Sequence, residues 1–512
     1  MRHHLHSERF IPSAFQSARQ ILASILACSV GFMGTALAQT PAVQSFCPTM
    51  GWSEGLVNNF MQPNSPFPTE DTANVNSPDC AFHQWSWEAF AWAITLVNDA
   101  GSDSKVPRFL TLHRPDELLP APGGVLKKAG PRALVLGGRS LIAHGTAGFK
   151  EDAGAIVEAD GNMMVGLNGY PVYASVHMND SYFNTAKANL IATGDYQKNA
   201  PNDPYFEVGA AVFKATWMRV DDVSQAPKGS YTTTATVPRL STTTKPNQKG
   251  GTTTTIAPNG QTDTVTVALV GLHVVGYTVN HPEFLWGTFE HNLNSPMVPD
   301  GTFSPSGSSS TGYTFYTANT SYANANLAAV PPQLTLNEST QKLTPATQTV
   351  LQWATGGENH PDGPKNIQNI NSQAQGIVAK LENVQNLFAN YNLIGTVWLQ
   401  PNTYVAGNPA STAGNLNKLA TGSITLANTT AETFVQSPSS KAMLNCFMCH
   451  NATSYSFQPP ALATARIAIS HVLAIGTDKA VQNEVSGSTS APKATAEAPV
   501  ENKVQKKKKK EK

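Results

Sequence analysis

Apolar residues recur at helical spacing through Phe82-His-Gln-Trp-Ser-Trp-Glu-Ala-Phe-Ala-Trp-Ala-Ile94. Phe82, Trp85, Ala89 and Trp92 share one face, which predicts a helix with an aromatic core stripe. From Ile156 to Asn179 the pattern reads as strand and turn, with Asn168-Gly169 as the turn signal. The segment from Tyr205 to Val220 carries Lys214 and Trp217. Val265 to Thr278 is apolar on both alternating faces, the mark of a central strand covered on both sides. His273 within it reads as a hydrogen-bonded core residue. The Thr-rich stretch around Thr242 to Thr255, with Gly250-Gly251, reads as a hairpin insertion or exposed loop. Ser304 to Asn326, up to Pro331-Pro332, reads as a long connection. Ile367 to Asn390 then predicts one helix with Ile377, Leu381, Val384 and Phe388 along one face, and Leu393 to Leu399 a strand. No internal repeat is visible.

The N-terminus changes the picture by setting a compartment. Arg2, Arg9 and Arg19 precede an apolar run from Ile21 to Ala38 that ends in Ala36-Leu37-Ala38. This three-part pattern predicts a cleaved secretory signal, with an uncleaved anchor or lipoprotein processing at Cys28 as alternatives. The run is interrupted by Ser24, Ser29, Gly31 and Gly34, which makes it marginal as a span, and no later segment reaches spanning length. From Gln39 the chain has 474 residues, enough for a large core. Of 34 basic and 34 acidic residues, three Arg and one Glu precede Gln39, and seven Lys and two Glu follow Val500. The body is left with 24 against 31. A mildly acidic body does not suggest nucleic acid as a partner. The Lys506 to Lys510 run follows a Ser/Ala/Pro/Glu-rich stretch and reads as a disordered solubilising tail.

Four cysteines follow the signal, at 47, 80, 446 and 449. In an oxidising compartment Cys47 and Cys80 are the natural bridge, with free thiols as the alternative. Cys446-x-x-Cys449-His450 is the spacing at which two thiols add to the vinyl groups of a haem while the next imidazole reaches the iron. A zinc site needs two more close Cys or His ligands, and the next histidine is His471. A thiol redox pair usually sits between a strand and a helix, whereas Gln436-Ser-Pro-Ser-Ser-Lys-Ala leads in as a loop. An accidental match is on the order of one in a thousand per chain at this Cys and His content. One covalent haem c is the favoured reading, with His450 as proximal iron ligand.

Only 62 residues follow His450, and none is methionine. Small class I cytochromes c place the motif early and a methionine ligand tens of residues later, so this is not that fold. His471 lies in a stretch from Ala461 to Gly476 that favours helix, between Pro459-Pro460 and a Gly stop. It shares a helical face with Ile467 and Ile475, which points it inward. It reads first as a core histidine and second as a candidate distal ligand; a ligand from upstream or an open site are the other possibilities.

Several segments add up to a resemblance. Phe82 to Ile94, Gly209-Ala-Ala-Val-Phe-Lys-Ala-Thr-Trp217 and Leu269-Val-Gly-Leu-His-Val274 come first. Trp286-Gly-Thr-Phe-Glu-His291, Tyr391-Asn-Leu-Ile-Gly-Thr-Val-Trp398 and Leu426-Ala-Asn-Thr-Thr-Ala-Glu-Thr433 follow before the motif. Together they resemble an uncharacterised family of exported bacterial monohaem cytochrome c-like proteins, over roughly residues 80 to 475. The resemblance implies one haem at the C-terminal end of a large non-cytochrome body. Val212 stands where it leads us to expect an acidic residue.

The expected architecture is α+β, with a β-rich body, helices and a C-terminal haem-bearing segment. Its parts run 1–38 signal, 39–80 N-terminal arm, 81–300 body, 301–345 connection, 346–480 haem-bearing part and 481–512 tail. The leading expectation is a periplasmic or secreted cytochrome passing single electrons to an unknown redox partner. A haem-dependent oxidoreductase is the second, with Glu290 and His291 as weak acid–base candidates. For that pair the plainer reading is a strand end packed by Trp286 and Phe289, with Glu290 and His291 exposed. A secreted binding protein with a structural haem is the third.

Overall fold

The computed structural model describes residues 47, 52–71, 78–99, 103–118, 134–136, 163–192, 206–246, 251–298, 307–325, 334–355, 363–399, 420–421 and 425–429. They belong to one compact unit, Gln44–Lys512. The helices used below are α1 (Pro78–Ile94), α2 (Asp180–Ala192) and α3 (Gly363–Val378). The strands are β1 (Leu134–Val135), β2 (Val172–Met178), β3 (Ala211–Val220), β4 (Thr232–Pro246) and β5 (Thr252–Thr278). They continue with β6 (His281–His291), β7 (Gln352–Thr355), β8 (Tyr391–Leu399), β9 (Ala420–Thr421) and β10 (Thr425–Ala427).

Among the described residues strand outweighs helix, 41% against 27%, so the fold is β-rich and mixed as expected. Eight strands form one sheet in the order β9-β8-β6-β5-β3-β2, with β4 also on β5 and β1 on β4. All neighbours are antiparallel except β1 and β4. The long β5 is shared: Thr252 to Ala268 pair with β4, Gly271 to Thr278 with β6, and Thr266 to Gly276 with β3. A strand with partners on both edges and layers on both faces must be apolar at every position, and residues 267–272 are buried without alternation. The Thr-rich stretch is the outer end of the β4–β5 hairpin, where 242–246 are exposed. Asn168-Gly169 forms the expected turn, with Gly169 at φ +86°, a conformation that favours glycine.

Helix α1 lies on the sheet, and the single aromatic stripe expected of it is too narrow. Phe82, Trp85, Ala89 and Trp92 are buried, and so are His83, Ser86, Trp87, Phe90 and Ala91. A helix apolar around most of its circumference is an interior helix, enclosed on several sides. Phe90 stacks on Phe289 of β6 with centroids 4.0 Å apart. Two glycines let the helix approach: a Cβ on Gly287 would fall 2.5 Å from Ser86 Oγ, and one on Gly276 2.7 Å from Trp85 Cζ2. The arm before α1 wraps it. Trp85 and Trp92 donate their indole N–H to the carbonyls of Pro68 and Ser65, at 3.2 and 2.8 Å. Cys47 and Cys80 lie at bonding distance with Cα atoms 5.4 Å apart, and Cys47 N–H donates to Asn366 Oδ1 of α3 at 3.0 Å.

The helix expected over Ile367 to Asn390 is two elements. α3 ends at Val378, and a 3-10 segment, Asn383–Asn390, follows after a turn. After the turn, Glu382 is extended and Asn383 opens the 3-10 segment at φ +59°, which asparagine tolerates. The buried face is Ile367, Ile370, Asn371, Ala374 and Val378, while Val384 is 36% exposed. Asn371 explains the choice of face. It accepts from Trp87 Nε1 at 2.9 Å and Leu393 N–H at 3.0 Å, and donates to the Leu393 carbonyl at 2.9 Å. A buried amide with all these bonds made joins α1, α3 and β8. Strand β8 covers the expected Leu393 to Leu399 and joins the same sheet as the strands of the body. Among the described residues no helix is long and apolar enough to cross a membrane.

Candidate functional site

Strand β6 carries the acid–base candidates at its C-terminal end and a second polar constellation at its start. Successive strand residues point to opposite faces, so Glu290 and His291 cannot act on one bound group. Glu290 pairs in register with Gly271 and Asn392, and His291 with Tyr391. The exposed Glu–His pair expected from sequence is corrected here: both residues are 0% exposed. The core closes over the strand end because the chain turns back at once, with Asn294 N–H donating to the His291 carbonyl at 3.0 Å.

Among the described residues, Thr429 and Asn294 donate to Glu290. Its Oε1 receives the Thr429 N–H at 2.8 Å. Its Oε2 receives the Thr429 hydroxyl, and Asn294 Nδ2 at 2.6 Å. Asn294 Nδ2 also reaches the Val270 carbonyl at 2.6 Å. A buried carboxylate is tolerable when donors surround it, and here they do.

His291 sits across the strand in an apolar setting. Its ring edge meets Tyr391 at 5.1 Å, and its Nδ1 accepts the Leu293 N–H at 3.2 Å. Burial pushes its pKa down to about 4, and the nearby Gly229 carbonyl opposes this only in part. The ring is neutral at pH 7 and fully buried.

At the start of β6, His281 meets Phe82 edge-on at 5.0 Å, and Phe82 stacks on Trp398 at 4.2 Å. His83 Nδ1 lies 3.0 Å from Thr396 Oγ1, which is 2.7 Å from Ser86 Oγ and donates to the Phe82 carbonyl at 3.3 Å. Asp71 accepts from Thr278 Oγ1, Asn280 N–H and Asn280 Nδ2, each at 2.7 Å, with His281 Nε2 at 4.0 Å. Phe82 is part of the expected aromatic stripe, whereas Asp71, His83, Ser86, His281 and Thr396 are not singled out by the sequence pattern. The available signal was a histidine and a serine in a helix otherwise apolar on nearly every side.

Two further imidazoles are structural. His273 bonds across the sheet to Thr288 Oγ1 at 2.9 Å, as a hydrogen-bonded histidine of the central strand should. His177 Nε2 lies 2.8 Å from Ser175 Oγ, which accepts from Trp217 Nε1 at 2.9 Å. Phe109 and Trp217 seal that serine–imidazole contact inside the core.

The predicted haem residues Cys446, Cys449 and His450 and the candidate distal ligand His471 lie outside the described residues. Among the described residues no three His, Cys, Asp or Glu side chains converge as a metal site. No family model, curated protein or solved structure matches the chain.

Proposed function

We propose that this is an exported c-type cytochrome that binds one haem c and passes single electrons to a periplasmic partner. The observation that carries this is Cys446-x-x-Cys449-His450, with no second Cys or His pair nearby to make it a zinc site. Cys446 and Cys449 would tether the ring by thioethers and His450 would hold the iron, with His471 as the candidate on its far side. When bound, such a group supplies one-electron redox chemistry, and its potential follows axial ligation and burial. The apposition of Cys47 and Cys80 supports an oxidising compartment.

The test is an absorption spectrum, oxidised and reduced, of protein made with haem-attachment machinery, repeated after acid-acetone extraction. Colour that survives extraction is expected, with a low-spin spectrum insensitive to CO. A high-spin haem that binds CO would point to chemistry at the iron instead. A colourless protein would return Cys446 and Cys449 to a disulfide and end this reading.

A further inference from the structure

We infer that Asn259 is a site of spontaneous deamidation in the folded protein, while the same dipeptide at Asn168 is protected by its turn. The inference stands apart from the haem reading. Asn-Gly occurs twice in the chain, at 168–169 and 259–260. Glycine after asparagine leaves the backbone nitrogen unshielded by a Cβ, so both dipeptides are reactive by composition. What separates them is tertiary structure.

One feature is common to the two. Each asparagine Oδ1 accepts the N–H two residues on, from Tyr170 at 3.1 Å and from Gln261 at 3.0 Å. That donor is aimed at the oxygen on which charge develops when Cγ is attacked. At Asn168 the other two reactants are held. Gly169 N–H, the nucleophile, donates to the Gly166 carbonyl at 2.9 Å and closes the turn. Asn168 Nδ2, the leaving group, donates to the Arg219 carbonyl at 2.9 Å. Leu343 N–H fastens the Gly169 carbonyl at 2.7 Å, and residues 168 and 169 are half-buried.

Asn259 lies instead in a bulge of β5. The β4–β5 register passes from Leu240–Pro258 to Pro238–Thr262, so residues 259–261 have only Arg239 opposite them and no registered partner. A bulge leaves its extra residues outside the ladder. Residues 258–262 are exposed, and a Cβ on Gly260 would meet nothing within 4 Å. Among the described residues no acceptor holds Asn259 Nδ2. Space for the ring closure and an unheld leaving group therefore coincide at Asn259.

The reaction needs only solvent water. The Gly260 nitrogen attacks Asn259 Cγ and gives its proton to solvent. The Cγ–Nδ2 bond breaks, Nδ2 takes up a proton and leaves as ammonia, and a cyclic imide remains. Water then opens the imide at Cγ to give aspartate, or at the backbone carbonyl to give isoaspartate. Nothing is oxidised or reduced. Either product places a carboxylate four residues before Asp263, which bonds Arg239 at 3.1 Å and Arg219 at 3.2 Å.

The experiment incubates the purified full chain, native and in urea, in mildly alkaline heavy-oxygen water, and reads peptides over 168 and 259 by mass spectrometry after digestion. Heavy oxygen marks deamidation that took place during incubation, and electron-transfer fragmentation separates aspartate from isoaspartate. In the native chain Asn259 should react at least about tenfold faster than Asn168, whose two contacts must open before attack. In urea the two rates should converge. Equal native rates, or faster loss at Asn168, overturn the inference. A native Asn259 that stays intact through the incubation overturns it as well. So does a difference that persists in urea, because neighbouring residues and not the fold would then set the rates.

Discussion

The two carboxylates at opposite ends of β6, Asp71 and Glu290, each fasten a distant stretch of chain to the sheet, but with different materials. Asp71 belongs to the arm before α1 and takes three donors at 2.7 Å from Thr278 and Asn280, on the tight turn between β5 and β6. Those donors are held by the hairpin whether or not the arm is present. Glu290 is itself on the strand, and it takes its donors from Thr429 and Asn294, outside regular strands. At one end the sheet offers donors to a visiting carboxylate; at the other it offers the carboxylate to a visiting donor. Losing the visitor is therefore tolerable at the Asp71 end, where a solvated turn remains. At the Glu290 end it takes two donors from a fully buried carboxyl group.

The largest effect should come from breaking the costlier end. Glu290→Ala removes the acceptor of the Thr429 N–H and hydroxyl in the core, while Asn294 Nδ2 keeps the Val270 carbonyl, and should cost about 3 kcal/mol in urea unfolding. A loss under about 1 kcal/mol would mean that the two ends do not differ as argued.

Acid should then act through the same end. The His291 pKa is held near 4 in the fold against 6.5 when free, so its contribution is complete above pH 6.5 and is lost as pH falls towards 4. Glu88 pulls the other way. Burial raises it from 4.5 to about 7 although the Trp52 indole bonds it at 2.8 Å. Its contribution is complete below 4.5 and is lost as pH rises through 7. The two slopes oppose one another between pH 4.5 and 6.5. His291→Phe should flatten the acid-side loss and Glu88→Gln the neutral-side loss, each by about 1–3 kcal/mol across its window. Stability curves of the variants parallel to wild type would refute the assignment.

The smallest effect should be Asp71→Asn, which keeps one carbonyl oxygen for the turn donors and loses about 1–2 kcal/mol. If it unfolds the protein more than Glu290→Ala does, the comparison is reversed.

Much of the scaffold was legible in local pattern. The unbroken apolar run from Val265, the Asn168-Gly169 turn, the Thr-rich hairpin end and the strand from Leu393 all follow from side-chain period and turn chemistry, which act over a few residues. The helix over Ile367 to Asn390 was drawn too long for an equally physical reason. Leu381, Val384 and Phe388 keep helical spacing, but the helix ends at Val378, and an extended Glu382 followed by Asn383 in the left-handed region divides the rest, which periodicity does not register. The Glu290–His291 pair shows the opposite limit. Neighbours in sequence looked like partners, and the pleat sent them to different faces.

By itself the sequence determined most of the elements, the β-rich character and the cysteine pair at 47 and 80. Each depends on residue type and short spacing. Only the tertiary structure decided that Glu290 is a buried seat for Thr429, that His83 and His281 stand beside one aromatic stack, and that β8 extends the body's own sheet. Those facts join residues from tens to hundreds of positions apart. No local pattern encodes them, because what brings such residues together is the burial of the whole core.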